Sequence, residues 1–424
     1  MSNKEDLLKE ILEDLKKKPV EKDYSFFGLK FNPFPLAGLP RFIMPPLDPD
    51  IDEKVKHFIT STYKEGEYGG LTIIGEFGMG KTHLMKYIQS LIDELTVLAR
   101  KRKIDFSAVT CFIDRPEDTP QRVVHKIIEE IGLDKIRKYV WKIVIDKLAA
   151  DKADFYEKCK PRYSLIPQRE ERWHELFEEP VKSNYLEFLK RFKELGGNFK
   201  KLQESVREII KKEIVDDSAL ADRYLNLIIF ADEKEADISW DILAGYVSKR
   251  DIQHKEIVFL NSIVEILRKV GFKHLYVFVD EFEDIGKLSA AKKTNYLLTL
   301  VTLINRERRW SVIVSLTKDI LEEEIKSEPP LYDRLTTQII ELKPLDISKG
   351  KELIIRYLNM AREKETNSIS PFTDESIKRM IEISEGNYRS FLLLAYNSIE
   401  IALKQRMPQI NKEVIEKAKE LRGI

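Results

Sequence analysis

Gly75-Glu76-Phe77-Gly78-Met79-Gly80-Lys81-Thr82 decides the fold, because it fits G-x-x-x-x-G-K-[ST] in the context that gives the pattern physical meaning. The apolar run Leu71-Thr72-Ile73-Ile74 precedes it and a helical segment opening His83-Leu84-Met85-Lys86 follows, so strand, loop and helix come in that order. Glycines let backbone N–H groups close around phosphates, and the Lys81 ammonium reaches the β and γ oxygens. The Thr82 hydroxyl offers a ligand to Mg²⁺, at a helix N-terminus that favours negative charge. The expected nucleotide contacts are Gly75, Gly78, Met79, Gly80, Lys81, Thr82 and His83. A glycine-rich turn holding no nucleotide is the competing account, and the order of the elements argues against it.

Much further along, Leu275-Tyr276-Val277-Phe278-Val279 is a buried β-type run that ends in Asp280-Glu281. A parallel strand delivers such acids to its carboxyl edge beside the phosphate loop, which is the Walker B arrangement. Asp280 would hold the Mg²⁺ shell and Glu281 would polarise the attacking water, since phosphoryl transfer depends mainly on positioning and electrostatics. An acidic strand end capping a helix is the alternative. Glu283 and Asp284 read as a solvated loop with no chemistry assigned.

Outward from these motifs, short apolar runs alternate with longer helical stretches, the signature of an α/β unit with a parallel sheet. Strands are expected at 71–74, 107–113, 274–279, 311–316 and 338–342, a five-stranded core. Between the second and third lies a long, mostly helical insertion, with one further candidate strand at 225–230. The expected organisation is an N-terminal helix and Pro/Phe-rich linker (1–50), the first part of the core (51–132), the insertion (133–250), the second part of the core (251–344) and a helical lid (345–424). Leu7, Leu8, Ile11, Leu12 and Leu15 give residues 5–18 an amphipathic helical stripe. Pro33, Pro35, Pro40, Pro45, Pro46 and Pro49 make the next stretch an extended, anchored linker.

Composition agrees with a globular chain of several units: 424 residues, 43% hydrophobic and 10% aromatic, which excludes disorder and collagen-like architectures. Lys+Arg and Asp+Glu both number 72, so whole-chain charge argues neither for nor against nucleic acid. High Glu and Lys with two cysteines resembles the composition of thermophile proteins. Cys111 and Cys159 lack CxxC spacing and fit a reducing cytoplasm as buried or incidental thiols. The longest charge-free stretch, 294–305, is far short of the roughly 20 residues a bilayer requires, and no secretory leader is visible.

Taken together, GEFGMGKT, LYVFVDEFED, WSVIVSLT, PPLYDRLTTQIIELKPLD and GNYRSFLLLA, in that order, resemble an AAA+ ATPase. Within that superfamily the likeness is to the origin-recognition/cell-division-cycle clade of initiators and to related prokaryotic ATPases, over about residues 50–132 and 252–420. The resemblance implies a sensor 1 group at the end of the fourth strand, Thr317 in preference to Ser315. It implies a sensor 2 arginine at Arg389, reaching the nucleotide from the lid, and an arginine finger at Arg334 that enters a neighbour's site and makes a homo-oligomer part of catalysis. Arg306, Arg308 and Arg309 are rival fingers, and a surface salt bridge is the alternative for Arg334. Residues 31–51, with Ile43, Pro45 and Pro46, read as an apolar wall for the base and equally as a strap over a sheet edge or hydrophobic surface, two roles that do not exclude each other. FFGLKFNPFP is similar to the entry of secretion and transposition ATPases, and 240–246 with the segment after it to ATPases of phage-defence systems. The short stretch after Arg389 completes a lid and leaves no room for the winged helix of the initiators.

Seven cations against three acids between Arg191 and Lys212, interleaved with Phe192 and Phe199, allow phosphate contact, although a solvated helix face is the preferred account. Arg100-Lys101-Arg102-Lys103 suits a helix C-terminus equally well. The histidines show no metal spacing. The sequence therefore reads as a cytoplasmic, Mg²⁺-dependent, ATP-binding and ATP-hydrolysing switch, oligomeric and associated with double-stranded DNA in replication, transposition or phage defence. The alternative is a regulatory ATPase that grips a protein partner through 133–250 without touching DNA. Neither reading involves a membrane.

Overall fold

The computed structural model describes residues 23–36, 42–65, 68–160, 172–229, 255–307 and 309–421. The phosphate-loop strand is β1 (Gly70–Ile74), buried at every position. The remaining strands are β2 (Ala108–Ile113), β3 (His274–Val279), β4 (Trp310–Leu316) and β5 (Gln338–Glu341). All pairings are parallel and the order across the sheet is β2-β3-β4-β1-β5. Continuous rather than alternating hydrophobic runs are what a parallel sheet covered on both faces selects. The register places Ile74 beside Leu316, and Val279 beside both Ile113 and Val314, so the segments leaving β1, β3 and β4 emerge at one carboxyl edge.

Side chains alternate between two cores. Leu71, Ile73, Tyr276, Phe278 and Ile313 face one side and pack with Val55, Phe58 and Ile59 of helix Pro49–Glu65 and with Leu84, Met85, Ile88 and Ile92 of helix Lys81–Arg102. Ile74, Val277, Val279, Val312 and Val314 face the other side. There the same apolar cluster runs without a break through helices Pro120–Ile131, Lys255–Lys269 and Ala290–Arg306 into the insertion.

The insertion is helical, as its periodicity suggests: Leu133–Ala150, Lys152–Cys159, Tyr185–Glu194, Phe199–Glu213 and Ser218–Ile229. Its aromatics meet around Phe188, whose ring lies 5.0 Å from Trp141 and 6.2 Å from both Phe177 and Phe192. Gly197 lies against Phe192, where an added Cβ would come within 2.4 Å of the ring. The strand expected at 225–230 is instead the end of helix Ser218–Ile229, Phe230 lying outside the described residues. The buried set Leu220, Ala221, Tyr224, Leu227 and Ile228 follows helical spacing, and a short apolar run cannot by itself separate the two periods. Tyr224 then anchors the helix through a 2.8 Å hydroxyl contact with Ser262. The amphipathic segment 5–18, residues 240–246 and Arg308 lie outside the described residues.

The chain divides into two compact units, Ile43–Leu342 and a second made of Met1–Phe42 with Lys343–Ile424. In the second, helices Ile347–Ala361, Asp374–Ser384, Tyr388–Lys404 and Lys412–Glu420 begin after Asp346, Thr373, Asn387 and Asn411. Each of those four side chains accepts a backbone N–H of its own first turn. The Pro/Phe-rich segment is a strap on these helices, opening with a 3-10 turn, Tyr24–Phe27, rather than being extended throughout. Lys30 N donates to Ala361 O at 2.8 Å, Asn32 Nδ2 donates to Glu400 at 2.9 Å, and Phe34 stacks on Tyr357 at 5.4 Å.

His274 opens β3 fully buried, with Nε2 2.8 Å from the Ser311 hydroxyl and Nδ1 without a partner among the described residues. Burial pulls its imidazole down to about 4 from an ordinary 6.5. The unfolded chain takes up this proton at higher pH than the folded one. The stability that depends on neutral His274 is therefore complete above pH 6.5 and lost as the pH falls toward 4. Urea unfolding of the wild type should show a loss on the order of 2–3 kcal/mol from this group across that window. His274→Gln should flatten the dependence, and an identical pH slope in the variant would contradict the assignment.

Candidate functional site

The phosphate loop leaves β1 at Gly75, whose N–H donates to Leu316 O at 3.2 Å, and turns through Gly78 and Gly80 at φ +77° and +93°. Those left-handed values are open to glycine at little cost. Met79 is buried beneath the loop, and Leu84 N donates to Gly80 O at 2.9 Å to start the helix. Lys81 is buried as well. Its Nζ donates to Gly75 O at 2.8 Å, stands 3.4 Å from Glu283 Oε1 and lies 5.2 Å from the centre of the Phe77 ring. The next side chain, Thr82, donates its hydroxyl to Asp280 Oδ2 at 2.6 Å.

Asp280 is buried at the end of β3, its backbone N–H donating to Ile113 O at 2.9 Å. Its other oxygen, Oδ1, accepts a short hydrogen bond from the Ser315 hydroxyl, and Ser315 Oγ in turn accepts from Glu281 N at 3.0 Å. One hydroxyl on β4 thus fixes both acids of the β3 terminus. Glu281 stands in the left-handed region at φ +47°, costly for a residue with a Cβ, and its carboxylate faces Arg115 Nε at 3.4 Å. Arg115, just past β2, also approaches Asp284 at 3.9 Å. Loop Gly75–Thr82, Asp280 and Glu281 are therefore brought together as their motifs require.

The remaining sequence candidates distribute as follows. His83 follows Thr82 on the helix, its Nε2 lying 3.0 Å from Met44 O and 3.2 Å from Met44 N, with the tautomer setting which of the two it engages; burial lowers its pKa. Thr317 follows β4 partly exposed, and among the described residues its hydroxyl makes no hydrogen bond, while Ser315 is committed to Asp280. Arg334 is exposed near the end of helix Pro329–Leu335, without an ion pair among the described residues. The segment after it meets the first residues of β1, with Gly70 N donating to Thr337 Oγ1 at 2.7 Å and Thr72 Oγ1 to Leu335 O at 2.8 Å. The rival Arg309 is taken up by Glu307 and Glu265 at 2.7 and 2.9 Å. In the second unit Arg389 is exposed in the first turn of helix Tyr388–Lys404, also without an ion pair among the described residues.

Glu283 corrects the sequence reading. It is not part of a solvated loop: the 3-10 turn Phe282–Lys287, pinned by buried Phe282 and Ile285, folds it inward until its side chain is 10% exposed. Among the described residues neither carboxylate oxygen meets full hydrogen-bond geometry, and burial raises its pKa against the pull of its own backbone N–H and of Lys81. Acid spacing alone gave no signal of this, since the turn after β3 decides which acids point in. In the basic stretch from Arg191 to Lys212, three of the seven cations are ion-paired among the described residues: Arg191 with Glu187, Lys201 with Glu204, and Arg207 with Asp222. Phe192 is fully buried and offers no stacking platform. Cys111 and Cys159 are buried free thiols, and no helix among the described residues is long and apolar enough to cross a membrane.

A glycine loop on an interior strand of a parallel sheet, meeting strand-end acids from a neighbour but one, defines a P-loop nucleotide-binding protein. More narrowly, a family described as "BREX system ATP-binding protein BrxC/D" matches residues 60–390, and the chain belongs to that family. It is also 30% identical over 148 residues to an uncharacterised HTH-type transcriptional regulator of Methanocaldococcus jannaschii, a match spanning 35% of each protein. Among solved structures it is similar to the ORC2 protein of Aeropyrum pernix in its ADPNP-ADP complexes, at TM-score 0.48 and 11% identity over 90% of this chain and 70% of that one. It is likewise similar to Drosophila ORC bound to DNA, at TM-score 0.43 and 11% identity over 98% and 73% of the respective chains.

Ser315→Ala should leave Asp280 Oδ1 and Glu281 N–H short of a partner. A cost of about 1–3 kcal/mol is expected in denaturant unfolding, well above an exposed Ser→Ala control such as Ser348→Ala. Equal stability would mean that the hydroxyl does not hold the acids.

Proposed function

We infer that the protein is an ATP-hydrolysing switch, and the observation that carries this is the Thr82 hydroxyl set 2.6 Å from the Asp280 carboxylate behind a phosphate loop. These two oxygens are the donor set of a Mg²⁺ that otherwise keeps phosphate and water ligands, so Thr82 and Asp280 would hold it. When bound, Mg²⁺ supplies charge neutralisation at the phosphate oxygens. The chain's own residues do the rest. Loop N–H groups and Lys81 bind and orient ATP, and Glu281, aimed by its left-handed backbone and the bond to Ser315, polarises the attacking water. Thr317, just past the strand end and with no hydroxyl hydrogen bond among the described residues, is the candidate that senses the γ-phosphate, and Arg389 is the candidate that carries nucleotide state to the lid.

Arg334 supports an oligomeric enzyme. Its backbone is tied to the start of β1, whereas the phosphate loop leaves the other end, a strand length of about 13 Å at roughly 3.3 Å per residue. An arginine exposed there, without an ion pair among the described residues, suits a neighbour's phosphates better than its own. Membership of a BREX-system ATP-binding family favours phage defence over replication or transposition as the setting. We assign the switch to a DNA-associated assembly. The self-paired charges of Arg191, Lys201 and Arg207 favour, as the second reading, a protein partner on the insertion.

Glu281→Gln should bind ATP with wild-type affinity and lose turnover about 100-fold or more; retained turnover would reassign the water-activating role. Arg334→Ala should cut turnover at least about tenfold while leaving nucleotide affinity of the dilute monomer intact, as a concentration series of ATPase activity would show. DNA association is checked by duplex-stimulated ATPase at two salt concentrations: salt-sensitive stimulation supports it, and indifference to DNA moves the assignment to the protein partner.

A further inference from the structure

The Lys81 ammonium has three N–H bonds, and each already has a direction to point in. One donates to Gly75 O at 2.8 Å, one faces Glu283 Oε1 at 3.4 Å, and the third lies towards the Phe77 ring at 5.2 Å. Of these neighbours only Glu283 carries a charge. Its backbone is set by the turn Phe282–Lys287, its side chain is 10% exposed, and among the described residues no other side chain hydrogen-bonds its oxygens. A buried carboxylate with one cation for company is a costly arrangement, and a chain that needed only to fill this space could do so with an amide.

We propose that Glu283 competes with the nucleotide's phosphates for the Lys81 ammonium and thereby weakens nucleotide binding and hastens its release. The inference rests on the ATP-binding reading of the loop and adds a regulatory element to it. A triphosphate or diphosphate entering the loop must share Lys81 with a fixed anion a few ångströms away, in surroundings where water screens little. Such a group raises the rate at which spent ADP leaves, which a switch that must reset requires.

The test is binding and dissociation of fluorescent ADP and ATP with magnesium on the full chain. Glu283→Gln, which keeps the shape and removes the charge, should tighten ADP about tenfold, mostly through slower dissociation, with the thermal midpoint unchanged or raised. Glu283→Asp, which keeps the charge but withdraws it by a methylene, should fall between the two. A purely structural Glu283 cannot give this result, because loosening the site weakens affinity rather than strengthening it. Unchanged or weaker ADP binding by folded Glu283→Gln, beside a wild type that binds, overturns the proposal alone. Failure of the wild type to bind either nucleotide overturns the ATP-binding reading with it. If Glu283→Gln does not fold, Glu283→Asp decides by the same criterion.

Discussion

The contact between Thr82 and Asp280 joins residues 198 apart in the chain, and it forms only if β1 and β3 run parallel with their carboxyl ends level. β4 lies between them and sets that level, pairing Ile74 with Leu316 and Val279 with Val314. A slip of one residue in either ladder would invert its side chains between the two cores and withdraw the acids from the loop. Ser315 then ties the same strand to both acids, so the register of β4 is felt twice, once in packing and once in the site.

That constraint explains how the chain accommodates a long insertion between β2 and β3. Loop-closure entropy grows slowly with length, so the detour costs little so long as its helices recover apolar burial. They do, because Phe155, Phe188, Phe192 and Tyr224 share one cluster with Val277 and Val312 of the sheet. The insertion is an extension of one core rather than an appended body, and helix Lys255–Lys269 returns from it directly into β3.

All five strands could be read from the sequence to within a residue or so, because runs such as His274–Val279 are apolar, β-rich and bounded by chemistry that only a strand end explains. Residues 225–229 could not, since Leu225, Leu227, Ile228 and Ile229 suit either period and the partner that settles the matter, Ser262, is distant in sequence. In the site, Gly75–Thr82 and Asp280 were legible from spacing. Ser315 was the less favoured of two hydroxyls, and the role of Glu283 was invisible, because a 3-10 turn rather than residue identity directs it inward.

The left-handed backbone at Glu281 has a consequence for how this protein can change. A residue with a Cβ stands there at a cost of about 1 kcal/mol or more, and glycine would remove it. Selection for heat resistance alone would therefore favour losing Glu281, the acid that the proposed hydrolysis assigns to the attacking water. A stabilisation campaign on this scaffold has to score turnover alongside melting, or it will discard the machine while improving the frame.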